Sequence, residues 1–236
     1  MLMIQRSPAA HGTVWMRTAW NIFRKTPRVW VLLFAMFLLS QIILAAIPLL
    51  GNFVSTLMAP LLFAGLMQAA TEEFPAPKNL LAGLYRNSNQ LIGLGGMLMV
   101  AEFLCGIGAA SLAGVDWRPF MGLGGPPEEK MLMVWMLYFF LLYSPFWVIS
   151  WLAPPLIYFQ GISAIAALQW SATAILYNIP ALAVYGVWVM AHMLLAGLTF
   201  GMTLLISGPV LVISTYVAYR DLFREDGHKS SGAGPA

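Results

Sequence analysis

The chain has 236 residues, of which 60% are hydrophobic and 9% are charged, with 12 basic and 9 acidic side chains and a formal net charge of +3. Soluble domains carry about 25% charged residues, which they need to cover their surface. The composition therefore excludes a soluble enzyme, a nucleic-acid binder with a basic face and a disordered protein. We predict an all-α membrane protein.

The cysteine, the histidines and the glycines of the chain argue against a disulfide, a metal site and a phosphate-binding loop. The single cysteine, Cys105, cannot form an intramolecular disulfide or a cysteine-based zinc site. His11, His192 and His228 are far apart along the chain, and no glycine-rich phosphate loop is followed by a lysine. We therefore expect no metal and no cofactor.

The distribution of charge divides the chain into three predicted parts. Residues 1–28 form a cytoplasmic segment with an amphipathic helix, residues 29–222 form the membrane domain, and residues 223–236 are a polar tail that we expect to be disordered. No apolar run precedes the N-terminal arginines, so we expect the first hydrophobic segment to be retained as a signal anchor.

The gaps between charged residues predict three spans in the first half. No charged residue lies between Arg28 and Glu72. A helix needs about 20 residues to cross a hydrocarbon core of about 30 Å, so this gap holds two spans, with a turn at residues 48–52. A third span covers residues 90–113 and contains Glu102.

The run of residues 131–219 has no Asp, Glu, Lys or Arg and predicts three more spans, at 131–155, 180–199 and 202–219. Its middle, residues 160–178, reads as a helix that lies in the interface or against the bundle. Apolar residues occupy one face of that helix, and a second set of residues falls on the other. The two sets are Ile165, Leu168, Ala172, Ile175 and Leu176, and Ser163, Ala167, Ser171, Ala174 and Asn178.

The basic residues orient these six spans. With the N-terminus inside, ten of the twelve basic residues lie in cytoplasmic segments and only Arg118 and Lys130 lie outside, as the positive-inside rule requires. A seventh span would move Arg220, Arg224 and Lys229 outside and is disfavoured. We predict that both termini are cytoplasmic.

The six spans form three similar hairpins, each preceded by a cytoplasmic amphipathic stretch: WNIFRKTP, GLYRNSNQ and AILYNIP. The returning helices carry a small residue before a proline, and we predict kinks at Pro60, Pro154, Pro155 and Pro209. The hairpins are either a true internal repeat or similar through apolar composition alone. The kinked helices could surround a central space or pack around each other, and packing is favoured.

The N-terminal stretch has the clearest amphipathic pattern. Arg17, Asn21, Arg24 and Arg28 lie on one face, opposite Trp15, Ala19, Ile22 and Phe23. Arg17, Arg24, Lys25 and Arg28 are candidate contacts for anionic lipid headgroups. Plain anchoring of the topology is the favoured alternative.

Glu102 and His192 are the candidate polar site inside the membrane. A charged carboxylate at mid-bilayer costs about 2.5–3.5 kcal/mol on insertion scales, so Glu102 must face protein or water. A Glu102–His192 pair would make a proton relay or substrate site. The favoured alternative is a carboxyl hydrogen-bonded within the bundle.

Three segments of the chain resemble a known family: WMRTAWNIFRKTPRVWVLLFAMFLL, LAPPLIYFQGISAIAALQWSATAILYNIPALAVYGV and the closing GPVLVISTYVAYRDLF. This is an uncharacterised proteobacterial inner-membrane protein family of six helices, which is similar to the membrane domain associated with glycerophosphodiester phosphodiesterases. The resemblance implies a multi-pass protein of the bacterial inner membrane with both termini cytoplasmic. It brings no catalytic residues.

The sequence favours a protein without its own catalysis, a structural, lipid-associated or accessory scaffold of the bacterial envelope. Its expected partners are membrane lipids and another membrane protein or a second copy, with no nucleic acid. The alternative is a small transporter or permease that uses Glu102 and His192.

Overall fold

A computed structural model of the chain describes residues 2–47, 51–116, 118 and 129–225. Apart from one 3-10 helix, Pro77–Leu81, and two short strands, the regular structure of these residues is α-helical, which confirms the predicted all-α class. The α-helices are α1 His11–Phe23, α2 Pro27–Ala45, α3 Gly51–Ala69, α4 Ala82–Tyr85, α5 Ser88–Ala113, α6 Glu129–Ser150, α7 Ala153–Gln160, α8 Ala164–Tyr177, α9 Ile179–Leu198 and α10 Leu204–Leu222.

Five stretches of helix in the described residues are long and apolar enough to cross a membrane: α2, α3, α5, α6 with α7, and α9. The sixth predicted span, 202–219, corresponds to α10, which does not reach the same combination of length and apolarity. Arg220 and Asp221 lie in its last turn. With 14 residues, α8 is too short to span, because a rise of about 1.5 Å per residue gives it roughly two thirds of the core thickness.

The helices form two compact units, which consist of residues 1–27 with 172–236 and of residues 28–171. In the first unit, α1 packs on α9 and α10, and β1, Leu2–Ile4, pairs with β2, Phe223–Glu225. The pair is antiparallel, with Met3 opposite Arg224. The predicted disordered tail therefore begins with a strand, and residues 226–236 lie outside the described residues.

The second unit is built around α3, which packs against α5, α7 and the 3-10 helix with α4. Two glycines let its backbone approach this neighbouring stretch directly. A Cβ at Gly65 would lie 2.2 Å from the Leu80 carbonyl oxygen, and one at Gly83 would lie 2.1 Å from the Leu61 carbonyl oxygen. A side chain at Gly65 would push α3 away from the 3-10 helix, and one at Gly83 would push α4 away from α3.

The prolines divide into two structural kinds. Pro60 and Pro209 lie inside α3 and α10, where the kinks stay predictions. Pro154 and Pro155 instead lie in the first turn of α7, after a break that ends α6 at Ser150, so they begin a helix rather than kink one. The first turn tolerates proline because its N–H groups have no intrahelical partner. The segments that follow the prolines in α3, α7 and α10 are largely buried.

Candidate functional site

Glu102 projects from α5 and forms its hydrogen bond within the unit of residues 28–171. Thr56 Oγ1 on α3 donates to Glu102 Oε2 at 2.5 Å. The carboxyl is thus held by the Thr56 hydroxyl inside a candidate span, where an unpartnered polar group would be costly.

A second polar contact lies next to Thr56 along α3. Ser55 Oγ donates to Gln41 Oε1 of α2 at 2.5 Å, and Gln41 Nε2 is buried without a hydrogen-bond partner among the described residues. Polar groups from α2, α3 and α5 therefore occur together in this unit. Sequence analysis missed Gln41, Ser55 and Thr56, because isolated amides and hydroxyls are common in membrane helices.

His192, the other half of the predicted pair, lies on α9 in the other unit. Its Nδ1 donates to the carbonyl oxygen of Trp188, one turn earlier, at 2.7 Å. The imidazole is thereby tied to its own helix through one nitrogen. The Glu102–His192 pair stays a prediction.

The predicted lipid-contact residues are exposed. Arg17 and Arg24 lie on the outer side of α1, Lys25 follows its end, and Arg28 lies in the first turn of α2, in the other unit. The opposite side of α1 is buried in its own unit rather than free for lipid. Trp15 is fully buried there, with its ring edge-to-face against Tyr185 at a centroid distance of 5.9 Å.

A polar cluster, which we call the terminal clasp, fixes α1 to the end of α10. One oxygen of Asp221, Oδ2, accepts hydrogen bonds from Ser7 Oγ at 2.8 Å, His11 Nδ1 at 2.7 Å and Trp15 Nε1 at 2.8 Å. Burial alone would raise the pKa of Asp221, but the bonds from His11, Trp15 and Ser7 outweigh it and hold that pKa below its ordinary value.

Asn178, which precedes α9, completes the clasp. Its side-chain oxygen accepts from the Ser7 N–H at 2.7 Å, and its amide nitrogen donates to the carbonyl oxygens of Gln5 and Ala174. The side chain thus satisfies backbone groups of an irregular segment that would otherwise be buried unpaired. The sequence placed Asn178 on a polar helix face but carried no signal for these partners.

The clasp contains serine, histidine and aspartate without the arrangement of a nucleophilic triad. A triad needs the serine hydroxyl on the histidine, whereas Ser7 donates to the same Asp221 oxygen that holds His11. Among the described residues, no three His, Cys, Asp or Glu side chains form a group that could hold a metal ion. The geometry of the clasp is that of a structural joint.

Fold and site together define a helical membrane protein whose two chain ends are joined by a polar clasp. The chain is similar to a probable inner membrane protein of Burkholderia thailandensis, with 29% identity over 215 residues that cover 84% of this chain and 78% of the relative. No protein-family model matches the chain, so the likeness to the membrane domain associated with glycerophosphodiester phosphodiesterases finds no support. No solved structure matches it either.

Proposed function

We propose that the chain is a six-span protein of a bacterial inner membrane, with both termini cytoplasmic, which acts as a lipid-associated scaffold without a reaction of its own. The inner-membrane assignment follows the description of the Burkholderia relative. The six spans form three hairpins, α2–α3, α5–α6 and α9–α10. A short helical stretch precedes each hairpin: α1, the 3-10 helix with α4, and α8.

The pairing of the two chain ends supports an even number of spans. β1 precedes every candidate span and β2 follows α10, and the two strands bond to each other as one antiparallel pair. This pairing favours an arrangement in which both strands lie on one side of the membrane. Five candidate spans alone would separate them, whereas α10 as a sixth span brings them together.

Topology reporters at the two ends test this arrangement. Green fluorescent protein fused at either terminus should fluoresce, and alkaline phosphatase fused there should be inactive. Alkaline phosphatase activity at the C-terminus together with a fluorescent N-terminal fusion would mean an odd number of spans and would overturn the proposed topology.

The single observation that carries the lipid-associated role is the way α1 is mounted. Its apolar side is fixed by Trp15 against protein, and its outer side exposes Arg17 and Arg24, with Lys25 just beyond. Basic groups close to an anionic leaflet contribute about 1 kcal/mol each. A rigid helix that holds several at the membrane surface suits binding of anionic phospholipid.

Retention of phosphatidylglycerol measures this role. After reconstitution with equal amounts of phosphatidylcholine and phosphatidylglycerol and extraction in mild detergent, the wild type should retain an excess of phosphatidylglycerol. The triple variant R17Q/R24Q/K25Q should lose that excess several-fold, and the charge-preserving R17K/R24K should keep it. Equal retention by all three proteins would contradict the role.

Transport is a second candidate function, which the Glu102–Thr56 contact favours. A carboxyl held by a hydroxyl donor inside a span is the kind of group that relays protons in transporters. Proteoliposomes loaded with a pH-sensitive dye should then conduct protons faster than empty vesicles, and E102Q should abolish the difference. Flux equal to that of empty vesicles would exclude proton transport.

A further inference from the structure

The chain between α3 and α5, residues 70–87, has a firmly packed inner side. We call it the connector. Leu80 and Asn79 are almost fully buried, and Gly83 meets the α3 backbone directly. Asn79 also accepts from the Ala76 N–H at 2.9 Å and donates to Glu72 Oε1 at 2.6 Å. These contacts hold the connector in one orientation on α3.

The outer side of the connector carries large apolar side chains. Phe74 is 76% exposed and Tyr85 is 83% exposed, and Leu81 and Leu84 are also exposed. Leu81, Leu84 and Tyr85 follow i, i+3, i+4 spacing and therefore share a face. A cluster of exposed large apolar side chains in a well-packed segment indicates a contact surface.

Basic side chains flank this apolar face. Lys78 is exposed three residues before Leu81, and Arg86 is exposed directly after Tyr85. The Arg86 guanidinium lies over the Tyr158 ring at 5.3 Å and donates to the Phe159 carbonyl oxygen at 3.3 Å, so α7 positions its charge. Of the nearby acidic groups, Glu72 is engaged by Asn79, which leaves Glu73 as the exposed one.

The position of the connector selects a lipid surface as its occupant. It joins the end of α3, Ala69, to the start of α5, Ser88, and both helices are candidate spans. Its ends are therefore held at the edge of the bilayer. Apolar side chains flanked by cations are the pattern of segments that lie in the headgroup layer, with the apolar groups in the acyl boundary and the basic groups among phosphates.

We propose that the outer side of the connector, formed by Phe74, Lys78, Leu81, Leu84, Tyr85 and Arg86, docks into the anionic headgroup layer of the bilayer that α3 and α5 cross. This second lipid contact rests on the proposed membrane role but uses none of the α1 charges. It fixes the depth of the unit of residues 28–171 by a surface that is continuous with its spans.

The depth of a spin label tests the docking. The full chain, with Cys105→Ala as background, carries a nitroxide at Tyr85→Cys, and the matched control carries it at Thr71→Cys, an exposed polar position of the same connector. In vesicles of phosphatidylcholine and phosphatidylglycerol, the label at position 85 should collide more often with oxygen than with a water-soluble nickel complex, relative to position 71. A label that favours the nickel complex would overturn the proposal. Protection from both reagents would also overturn it, because that result would mean a protein contact.

The charges are tested separately from those of α1. K78Q/R86Q should lower phosphatidylglycerol retention several-fold and K78R/R86K should preserve it, while the thermal unfolding of K78Q alone stays unchanged in detergent. Unchanged retention in K78Q/R86Q would remove the anionic preference. Loss of retention in the α1 triple variant with a lipid-exposed label at position 85 would support both contacts independently. Unchanged retention in the α1 triple variant would refute only the α1 contact. A water-exposed label at position 85 would refute only the contact of the connector.

Discussion

Two short helices, α1 and α8, pack against the protein through faces of opposite character. α1 buries large apolar residues such as Trp15 and Phe23 and exposes Arg17 and Arg24. α8 buries small residues, with Ala167, Ser171 and Ala174 fully enclosed, and exposes Ile165 and Leu176 to 63% and 69%. Each helix is amphipathic in sequence, but the face that meets protein is the apolar one in α1 and the small, polar one in α8.

This inversion indicates what surrounds each helix. Exposing large apolar side chains to water costs about 25 cal/mol for each Å² of apolar surface, whereas against acyl chains that cost vanishes. α8 therefore suits a hydrocarbon neighbour on its outer side and close packing of small residues on its inner side. α1 suits water or headgroups outside, and needs a protein partner for its apolar face.

The strongest test of the α1 side is Trp15→Ala. Removing a fully buried indole that also donates to Asp221 should lower the free energy of unfolding by about 3–5 kcal/mol. Thermal unfolding in detergent, followed by circular dichroism, measures the loss. The matched control is Trp20→Ala, since Trp20 is exposed and stacks on Phe23, and its loss should cost about 1 kcal/mol or less. Equal losses would contradict the burial of one face of α1.

Asp221→Asn probes the polar joint beneath that face. The amide keeps an acceptor for Trp15 but loses the charge that strengthens three hydrogen bonds, so we expect a loss of about 1.5–3 kcal/mol. Chemical unfolding at neutral pH measures it. Wild-type stability in this variant would mean that the charge of Asp221 makes no net contribution to folding.

The same carboxyl gives the clasp a defined pH dependence. Because folding lowers the pKa of Asp221, its contribution is complete above the ordinary carboxyl pKa of about 4 and is lost as the pH falls through the lowered value. The stability gap between wild type and Asp221→Asn should therefore be constant near neutrality and close in acid. A gap that persists at the most acidic pH tolerated by the fold would show that the charge is not its source.

On α8, Ala167→Leu should destabilise by about 1–3 kcal/mol, because the enclosed face leaves no room for three more carbons. The melting temperature in detergent should fall accordingly. A melting temperature equal to that of wild type would show that the small-residue face is loosely packed. The claim that α8 packs closely through its small residues would then fail.

The smallest effect is expected for Leu176→Ala on the outer face of the same helix. Leu176 is largely exposed, so its truncation should change the free energy of unfolding by no more than about 0.5 kcal/mol. A loss of about 2–5 kcal/mol would instead indicate a packed protein neighbour. That result would refute a lipid-facing α8.

Several features of the fold were accessible from the sequence because they depend on composition over many residues. The charge-free gaps predicted helices that match α2, α3, α5 and α9 closely, since a span is set by its apolar length. The periodicity within residues 160–178 also separated the two faces of α8. Neither inference required knowledge of which segments touch.

The sequence did not show that Pro154 and Pro155 lie in the first turn of α7, because proline is compatible with a helix interior and with a helix start. Local sequence does not choose between these two. In the structure α6 ends at Ser150, so Pro154 and Pro155 fall at the start of a new helix. The proline inside α6 is Pro145.

The sequence by itself determined the class of the protein, the sites of its apolar helices and the few positions where charge lies within them. Tertiary structure decided which partners those positions have: Thr56 for Glu102, Asp221 for Trp15, and the chain ends for each other. The apolar length and the periodicity of a helix depend only on residues that are neighbours in the sequence, so the sequence predicts them. A hydrogen bond between Ser7 and Asp221 joins residues far apart in sequence, and only the packing of α1 on α10 brings them within reach.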